Sequence, residues 1–343
     1  MMYSRRVINS KNSLVENGVY TWGTFNTAFK NVNPLDAHRP FGFPLPRFIK
    51  NFRLKEWQAF QAGNKDWFIF GAVYNAKITA VNILSVYHRK TGILHHYQKL
   101  TGTSSLSIAS GLFDSRSSYE SKDLSLVFEN QLEKGIIGIS GFGKGMDLPQ
   151  LEIALKCFHN TEPIVISQPF GKNRGLYSHK ALMSIDGVLK IENQVVEFDQ
   201  NESFCIMDDH KGYYPYSVKY DWVTAAGFKE NGVLCGFNLT DNQVRNHEQY
   251  NENCLWYDGK MYPLPPIKII RNNEYWEVKD CHGWVNLKFF PKTDNRIRQN
   301  FLIVKSDYEG PYGEFEGVIS IPEKISVDFT SFFGMGEKKR YRM

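Results

Sequence analysis

The chain has 343 residues, of which 42% are hydrophobic and 22% charged, with a formal net charge of +5 at pH 7. These proportions are typical of an ordinary soluble globular protein. Aromatic residues make up 15% of the chain, which favours a β-rich protein with a large apolar core or ligand cavity and excludes a helical bundle. At this length two domains of roughly 150–170 residues, or one large β domain, are expected.

The distribution of charge and cysteine predicts the compartment and the classes of partner. Basic residues are scattered, and their one cluster, 337–342, is a short tail that indicates a solvated chain end rather than a nucleic-acid site. The chain begins without an apolar leader segment and contains no run of about 18 apolar residues. The five cysteines are widely spaced and form no C-x-x-C motif, so we expect free, mostly buried thiols. A cytoplasmic protein with no nucleic-acid partner and no integral membrane segment is therefore predicted.

In the first half of the chain, alternation of apolar and polar residues predicts a series of strands. These are residues 67–74, 78–86, 124–128, 135–140 and 151–158. Residues 52–60 fit either a short helix or an edge strand. The segment 141–145, GFGKG, resembles a phosphate-binding loop, but no helix or βαβ unit follows it, so a flexible turn is predicted there.

The second half continues the same pattern, with short turns at Asp186-Gly187, Asn231-Gly232 and Asp258-Gly259. Its predicted strands are residues 180–185, 189–191, 195–198, 222–228, 233–239, 255–257 and 260–264. Short strands at this spacing favour an antiparallel meander closed into barrels or sandwiches. Prolines and a Gly-rich segment between residues 160 and 178 interrupt the strands. The predicted domains are therefore 1–165 and 166–343.

The stretch 208–223, DDHKGYYPYSVKYDWV, combines acids, a histidine and several aromatic residues. If residues 211–218 form a wide hairpin loop, His210 lies opposite Asp221, and Asp209 lies opposite Trp222. Opposed side chains share a face, so His210 and Asp221 would form an acid–base pair that can hold or deliver a proton. The alternative is a polar turn with a partly exposed histidine, because a shift of one residue reverses every face.

Two further polar features leave their roles open. His210 with Asp208 or Asp209 would supply only two metal ligands, so no metal site is predicted, and no cofactor motif is present. Asn238 and Glu252 lie in an aromatic-rich run of strands, where buried polar groups must be paired. They form either a structural polar network or part of a cavity lining.

Several motifs together resemble a known family. They are Asp209-His210 with Gly212, Tyr220-Asp221-Trp222, the segment 236–239 (GFNL) and the segment 252–260 (ENCLWYDGK). Matching segments near both ends extend the resemblance over nearly the whole chain, which is similar to the bacterial family named domain of unknown function 2804. More distantly, the D-H and aromatic-D-W motifs resemble the double-lipocalin superfamily of AttH-like proteins and carotenoid 1,2-hydratases.

This resemblance implies an all-β fold with two lipocalin-like antiparallel β-barrel or half-barrel units packed side by side and few short helices. It also implies that apolar ligands bind within or between the two units. By motif, the proton-handling groups of the hydratases correspond to Asp221 and His210.

The sequence therefore predicts binding of a hydrophobic small molecule or lipid in an aromatic-lined cavity. The alternatives are a cofactor-independent lyase or isomerase of hydratase or cyclase type, and a structural protein with filled barrels. The candidate catalytic residues are His210, Asp221 and Asp209. The candidate ligand-binding residues are Tyr213, Tyr214, Tyr220, Trp222, Asn238, Glu252 and Trp256.

Overall fold

The structure is a computed structural model that describes residues 3–241, 244, 246–300 and 305–342. Its regular structure is almost entirely β. Within the described residues, the helical segments are α1 (Arg47–Arg53) and three 3₁₀ turns, Pro34–Asp36, Thr103–Ser105 and Leu132–Lys134. No helix in this part of the chain is long and apolar enough to cross a membrane.

The first sheet has fifteen strands and uses residues up to Gly212. Together with the separate hairpin of β2 and β3, its strands are β1 (Val7–Ile8), β2 (Val15–Glu16), β3 (Val19–Tyr20), β4 (Gly23–Phe25), β5 (Lys55–Gly63), β6 (Trp67–Asn75), β7 (Ala80–His88), β8 (Ile93–Thr101), β9 (Leu106–Ser107), β10 (Ser115–Glu120), β11 (Leu124–Gln131), β12 (Ile136–Gly143), β13 (Leu151–Phe158), β14 (Ile164–Gly171), β15 (Arg174–Ile191), β16 (Gln194–Phe198) and β17 (Phe204–Gly212). The main path through the sheet is β8-β7-β6-β5-β17-β15-β13-β12-β11-β10-β9.

The second sheet has twelve strands and begins at Ser217. They are β18 (Ser217–Phe228), β19 (Leu234–Asp241), β20 (Cys254–Tyr257), β21 (Lys260–Pro263), β22 (Ile267–Arg271), β23 (Trp276–Asp280), β24 (Val285–Pro291), β25 (Arg296–Asn300), β26 (Lys305–Glu309), β27 (Tyr312–Ile321), β28 (Ile325–Asp328) and β29 (Phe332–Arg342). Its main path is β21-β20-β19-β18-β29-β27-β24-β23-β22.

Alternation along β17 and β18 explains how the two sheets pack. Met207 of β17 points into the core enclosed by the first sheet, whereas Ile206 packs in the layer between the sheets. In β18, Val223 lies in the core of the second sheet, whereas Trp222 lies in the layer between them. Each sheet therefore curls over its own core as a half-barrel, and the two half-barrels pack side by side. The predicted fold is confirmed.

The predicted turn at Asp186-Gly187 is wrong, because β15 runs through it without interruption from Arg174 to Ile191. Gly187 has φ of +149°, and a Cβ there would lie 2.2 Å from the carbonyl oxygen of Ala154 in β13. Only glycine permits this backbone conformation and this approach together. The strand therefore bends at Gly187 and pairs with β17 before the bend and with β16 after it.

Other local predictions had mixed outcomes. Residues 52–60 contain both the end of α1 and most of β5, which is a central strand because β6 and β17 pair with it on either side. The Gly-rich segment 141–145 begins inside β12 rather than in a turn. Asp258 and Gly259 both have positive φ, which confirms the primed turn predicted there. The primed type predicted at Asn231-Gly232 is wrong, because only Gly232 has positive φ and its N–H donates a hydrogen bond to the carbonyl oxygen of Lys229 in a longer loop.

The predicted division into 1–165 and 166–343 stays a prediction about domains. Its boundary falls inside β14, whereas the chain passes from the first sheet to the second between Gly212 and Ser217. This short connection positions the candidate site, because β17 and β18 flank it in sequence and each faces the layer between the sheets.

Candidate functional site

A cavity of about 430 Å³ lies between the two half-barrels. Its lining comes from the first sheet, mainly β5, β6 and β17, and from β18 and β29 of the second sheet. Charged side chains from both sheets also reach it. The apolar part of the lining includes Phe70, Ala72, Val81, Ile83, Leu100 and Met335.

Lys180 is the centre of a buried charge cluster in this cavity. Its Nζ lies 2.8 Å from Oδ1 of Asp208 and 3.8 Å from Oε2 of Glu252. Ser178 Oγ donates a hydrogen bond to the same oxygen of Glu252 at 3.0 Å, and Trp57 Nε1 donates to Asp208 Oδ2 at 3.2 Å. The cluster therefore satisfies most of its own charge within a water-poor site.

The environment perturbs the ionisation of this cluster in two directions. Burial alone would lower the pKa of Lys180, but the carboxylates of Asp208 and Glu252 outweigh burial and leave that pKa raised. Burial raises the pKa of Glu252, although the nearby Lys180 charge opposes the shift. Burial therefore opposes the charge on Glu252, whereas the neighbouring carboxylates stabilise the charge on Lys180.

His210 lies beside the cluster, two residues after Asp208, so both side chains leave β17 on the same face. Its Nε2 is 2.6 Å from the hydroxyl oxygen of Tyr214, and its ring stacks on Trp57 with centroids 4.0 Å apart. Burial lowers the pKa of His210 well below its ordinary value, and nearby lysines add to the shift. Among the described residues, its Nδ1 has no hydrogen-bond partner. The ring is therefore a neutral imidazole with one free nitrogen.

Lys339 of β29 lies in a cage of aromatic rings that lines the cavity from both sheets. A cation over ring faces is stabilised by the negative potential of the π system. Because both sheets contribute rings, the cage forms only where the half-barrels pack together. The ring centroids lie 5.3–5.9 Å from its Nζ and belong to Trp57, Tyr74, Tyr220, Tyr308 and Tyr341.

Glu337 lines the cavity two residues before Lys339. Burial raises its pKa, while the charge of Lys339 and a hydrogen bond with Tyr220 partly offset this effect. The prediction of a solvated tail at 337–342 is therefore wrong. These residues belong to β29, which pairs with β18 on one side and with β26 and β27 on the other. Pairing on both sides orders the basic segment.

Half of the sequence-predicted site residues line the cavity, and half do not. Those in the lining are His210, Tyr214, Tyr220, Trp222 and Glu252. The structure places the other five outside it, namely Asp209, Tyr213, Asp221, Asn238 and Trp256.

The predicted pairing of His210 with Asp221 is wrong. His210 pairs in register with Trp57 and Ser178 of the first sheet, whereas Asp221 pairs with Lys338 of the second. The pairing fails because residues 213–216 carry the chain from one sheet to the other instead of turning back as a hairpin.

Asp209 and Asp221 each lie in an ion pair away from the cavity. Asp209 accepts a hydrogen bond from Lys211 Nζ at 2.8 Å, and both side chains are only 1% exposed. Asp221 lies 2.6 Å from Arg271 and accepts a hydrogen bond from Arg340 at 2.9 Å. Both acids therefore form structural ion pairs, Asp209 within the first sheet and Asp221 within the second.

The remaining three predicted residues contribute packing and orientation. Asn238 accepts a hydrogen bond from Trp222 Nε1 at 2.6 Å and donates one to the backbone carbonyl of Glu252 at 2.7 Å. From outside the lining, Asn238 therefore orients the side chain of Trp222 and the backbone of Glu252. Tyr213 and Trp256 are buried elsewhere in the protein.

The lining residues that sequence reasoning missed include Trp57, Lys180, Asp208, Glu337 and Lys339. Two local signals were present. Asp208 and His210 are two residues apart in one strand, which places them on one face. Lys180 is a lone charge in a predicted buried strand and so requires a partner.

Outside the cavity lining, Glu248, Cys281 and His282 bring their potential ligand atoms within 4.8 Å of one another. All three residues are exposed. The prediction of no metal site considered only His210 and its neighbouring acids, and it did not address this surface group.

The family model described as Domain of unknown function (DUF2804) matches residues 4–343. The chain belongs to this family. The resemblance predicted from the 208–223 and 252–260 segments is therefore confirmed. No curated protein matches the sequence.

Solved structures share the fold at low sequence identity. The structure of CghA with Sch210972 is 11% identical, with a TM-score of 0.54, and the match covers 84% of this chain and 88% of that one. A protein assigned as AttH from Nitrosomonas europaea is 10% identical, with a TM-score of 0.51, covering 84% of this chain and 93% of that one. These likenesses confirm the double-lipocalin fold.

Proposed function

We propose that the protein binds an apolar small molecule or lipid in the cavity between its two half-barrels. The observation that carries this proposal is the cavity itself. Its volume of about 430 Å³ lies within the range of small-molecule sites, and its largely apolar lining includes a few converging polar groups. One protein of the same fold, CghA, has been solved with Sch210972. The class of ligand proposed for this chain is inferred from its own cavity and not from that complex.

The first test is native mass spectrometry of protein purified without detergent, followed by organic extraction of any co-purifying molecule. The second is binding of the neutral fluorophore N-phenylnaphthylamine. Ala72→Phe adds a ring to the cavity wall, and the expected result is a loss of probe affinity of at least about tenfold. Val195→Phe is the matched control, because Val195 is 59% exposed on β16 and lies outside the lining. Equal probe binding by both variants would contradict the proposal.

A second candidate function is a cofactor-independent lyase or isomerase that uses the same cavity. The specific observation in its favour is the free Nδ1 of the buried, neutral His210 beside Asp208 and Glu252. A neutral imidazole next to a bound substrate can transfer a proton to or from a carbon or an oxygen atom. Asp209 and Asp221 are less suited to this role, because both are engaged in ion pairs outside the lining.

The catalytic candidate is tested on the molecule that extraction recovers. Incubation of that molecule with the protein in D₂O should introduce deuterium, measured as a mass increase, if His210 mediates proton transfer. His210→Asn should retain N-phenylnaphthylamine binding and lose the exchange. If the unaltered protein binds the molecule but exchanges no deuterium, the binding function stands and the catalytic candidate is contradicted.

A further inference from the structure

Three lysines line the cavity, and two of them, Lys180 and Lys339, lie under different electrostatic conditions. Lys180 is only 4% exposed and is neutralised by Asp208 at 2.8 Å. Lys339 is held instead by ring faces, and among the described residues its Nζ has no carboxylate within 4 Å. An ammonium group has three N–H donors, and ring faces leave them less fully used than carboxylate oxygens do. Lys339 is therefore a cavity cation whose donors remain available to a ligand.

The environment of Lys339 limits the ligand group that it can receive. Trp57 is shared, since its ring stacks on His210 at 4.0 Å and lies 5.7 Å from Lys339 Nζ. The lining also contains Asp208, Glu252 and Glu337, which would repel an anionic head group. An uncharged oxygen acceptor avoids that repulsion and still accepts a hydrogen bond from the ammonium.

An amine head group fits this location poorly. Its positive charge would compete with Lys339 for the same five rings and would be repelled by that ammonium. A purely hydrocarbon ligand would leave the Lys339 donors without an acceptor in a partly desolvated site. Of the head groups compared, an uncharged oxygen acceptor such as a carbonyl matches both the charge balance and the available donors.

We propose that Lys339 donates a hydrogen bond to the carbonyl oxygen of an uncharged, otherwise apolar ligand, whose hydrocarbon part lies against the apolar wall that includes Ala72 and Ile83. This inference rests on the proposed binding function and adds the chemical class of the ligand. It assigns to Lys339 a role in ligand specificity. The sequence did not suggest this role, because residues 337–342 were predicted to be a solvated tail.

The test is displacement of N-phenylnaphthylamine by three chain-matched competitors, namely a long-chain methyl ketone, the fatty acid anion and the primary amine. For the unaltered protein, the ketone should displace the probe at the lowest concentration. Lys339→Met keeps most of the side-chain volume. It should lower the affinity for the ketone at least about tenfold, because a hydrogen bond to a charged donor is lost. Lys339→Arg should retain the preference for the ketone.

Lys338→Met is the matched control. Lys338 is adjacent in β29 but lies outside the lining, near Asp307 and Glu309. This variant should bind the ketone as the unaltered protein does. An unchanged ketone affinity in Lys339→Met, or a stronger displacement by the amine or the fatty acid anion, would overturn the inference.

The probe separates this inference from the proposed function. If the unaltered protein does not bind N-phenylnaphthylamine, ligand binding in the cavity is refuted and the inference falls with it. If the probe binds equally to the unaltered protein and to Lys339→Met, the variant is folded and the cavity is intact. The ketone data then decide the role of Lys339 alone.

Discussion

The ion pair of Asp209 and Lys211 allows a quantitative test of whether Asp209 has a structural role. Both side chains are 1% exposed, and Lys211 Nζ lies 2.8 Å from Asp209 Oδ1. Removing one partner leaves an uncompensated buried charge, which costs about 3–5 kcal/mol, whereas replacing both by apolar residues of similar volume is often neutral. Asp209→Leu alone and Lys211→Met alone should therefore each lower the free energy of unfolding by about 3–5 kcal/mol. The double variant should lie within about 1 kcal/mol of the unaltered protein.

The assay is urea denaturation followed by tryptophan fluorescence, analysed as a double-mutant cycle. Asp241→Asn is the control for an exposed pair, because its partner Lys268 is 76% exposed, and its cost should be about 0–1 kcal/mol. The reasoning is refuted if Asp209→Leu costs no more than Asp241→Asn. It is also refuted if the double variant is as unstable as the sum of the two single variants.

Three other predictions follow from the same contacts. Burial lowers the pKa of His179 to about 3. The folded protein should therefore lose stability as the pH falls below the pKa of histidine in the unfolded chain, about 6.5. Between about pH 7.5 and about pH 5, the free energy of unfolding should fall by about 2 kcal/mol more in the unaltered protein than in His179→Gln. Equal slopes in urea denaturation would contradict this. Asp221→Asn should destabilise by about 1–3 kcal/mol, because Arg271 and Arg340 lose their partner, yet it should keep N-phenylnaphthylamine affinity; reduced affinity with unchanged stability would contradict a structural role. Cys281 is exposed while the other four cysteines are buried, so one thiol should react with an alkylating reagent in the folded protein and none in Cys281→Ser.

The all-β fold could be predicted because its signal is local. Alternation of apolar and polar residues with a period of two marks strands wherever one face is buried, as in β13, where Leu151, Ile153, Leu155 and Cys157 are buried and the residues between them are not. The primed turn at Asp258-Gly259 was also correct, because its conformation depends on two adjacent residues. The turn at Gly187 was wrong, since its glycine serves close strand approach, which is a tertiary requirement.

The candidate site was only half predictable for a different reason. Alternation correctly separates His210 from Asp209 on opposite faces of β17, but it does not show which face meets the second sheet. The hairpin assumption joined His210 to Asp221, and the crossing of residues 213–216 between sheets removed that contact. Motif resemblance pointed to the segment 208–223, of which His210 and Trp222 line the cavity, and to Asp221, which the structure places in an ion pair with two arginines.

The sequence by itself therefore determined the all-β class, many of the strands up to residue 264 and the family, because these depend on neighbouring residues or on matched motifs. Only the tertiary structure decided that Trp57, Lys180, Glu252 and Lys339 share one cavity. These residues come from β5, β15, the segment before β20, and β29, and no periodic pattern connects positions so far apart in the chain. They meet because each of the two curled sheets presents its outer face to the other, and the charges buried between those faces are stabilised there by opposite charges or by aromatic rings.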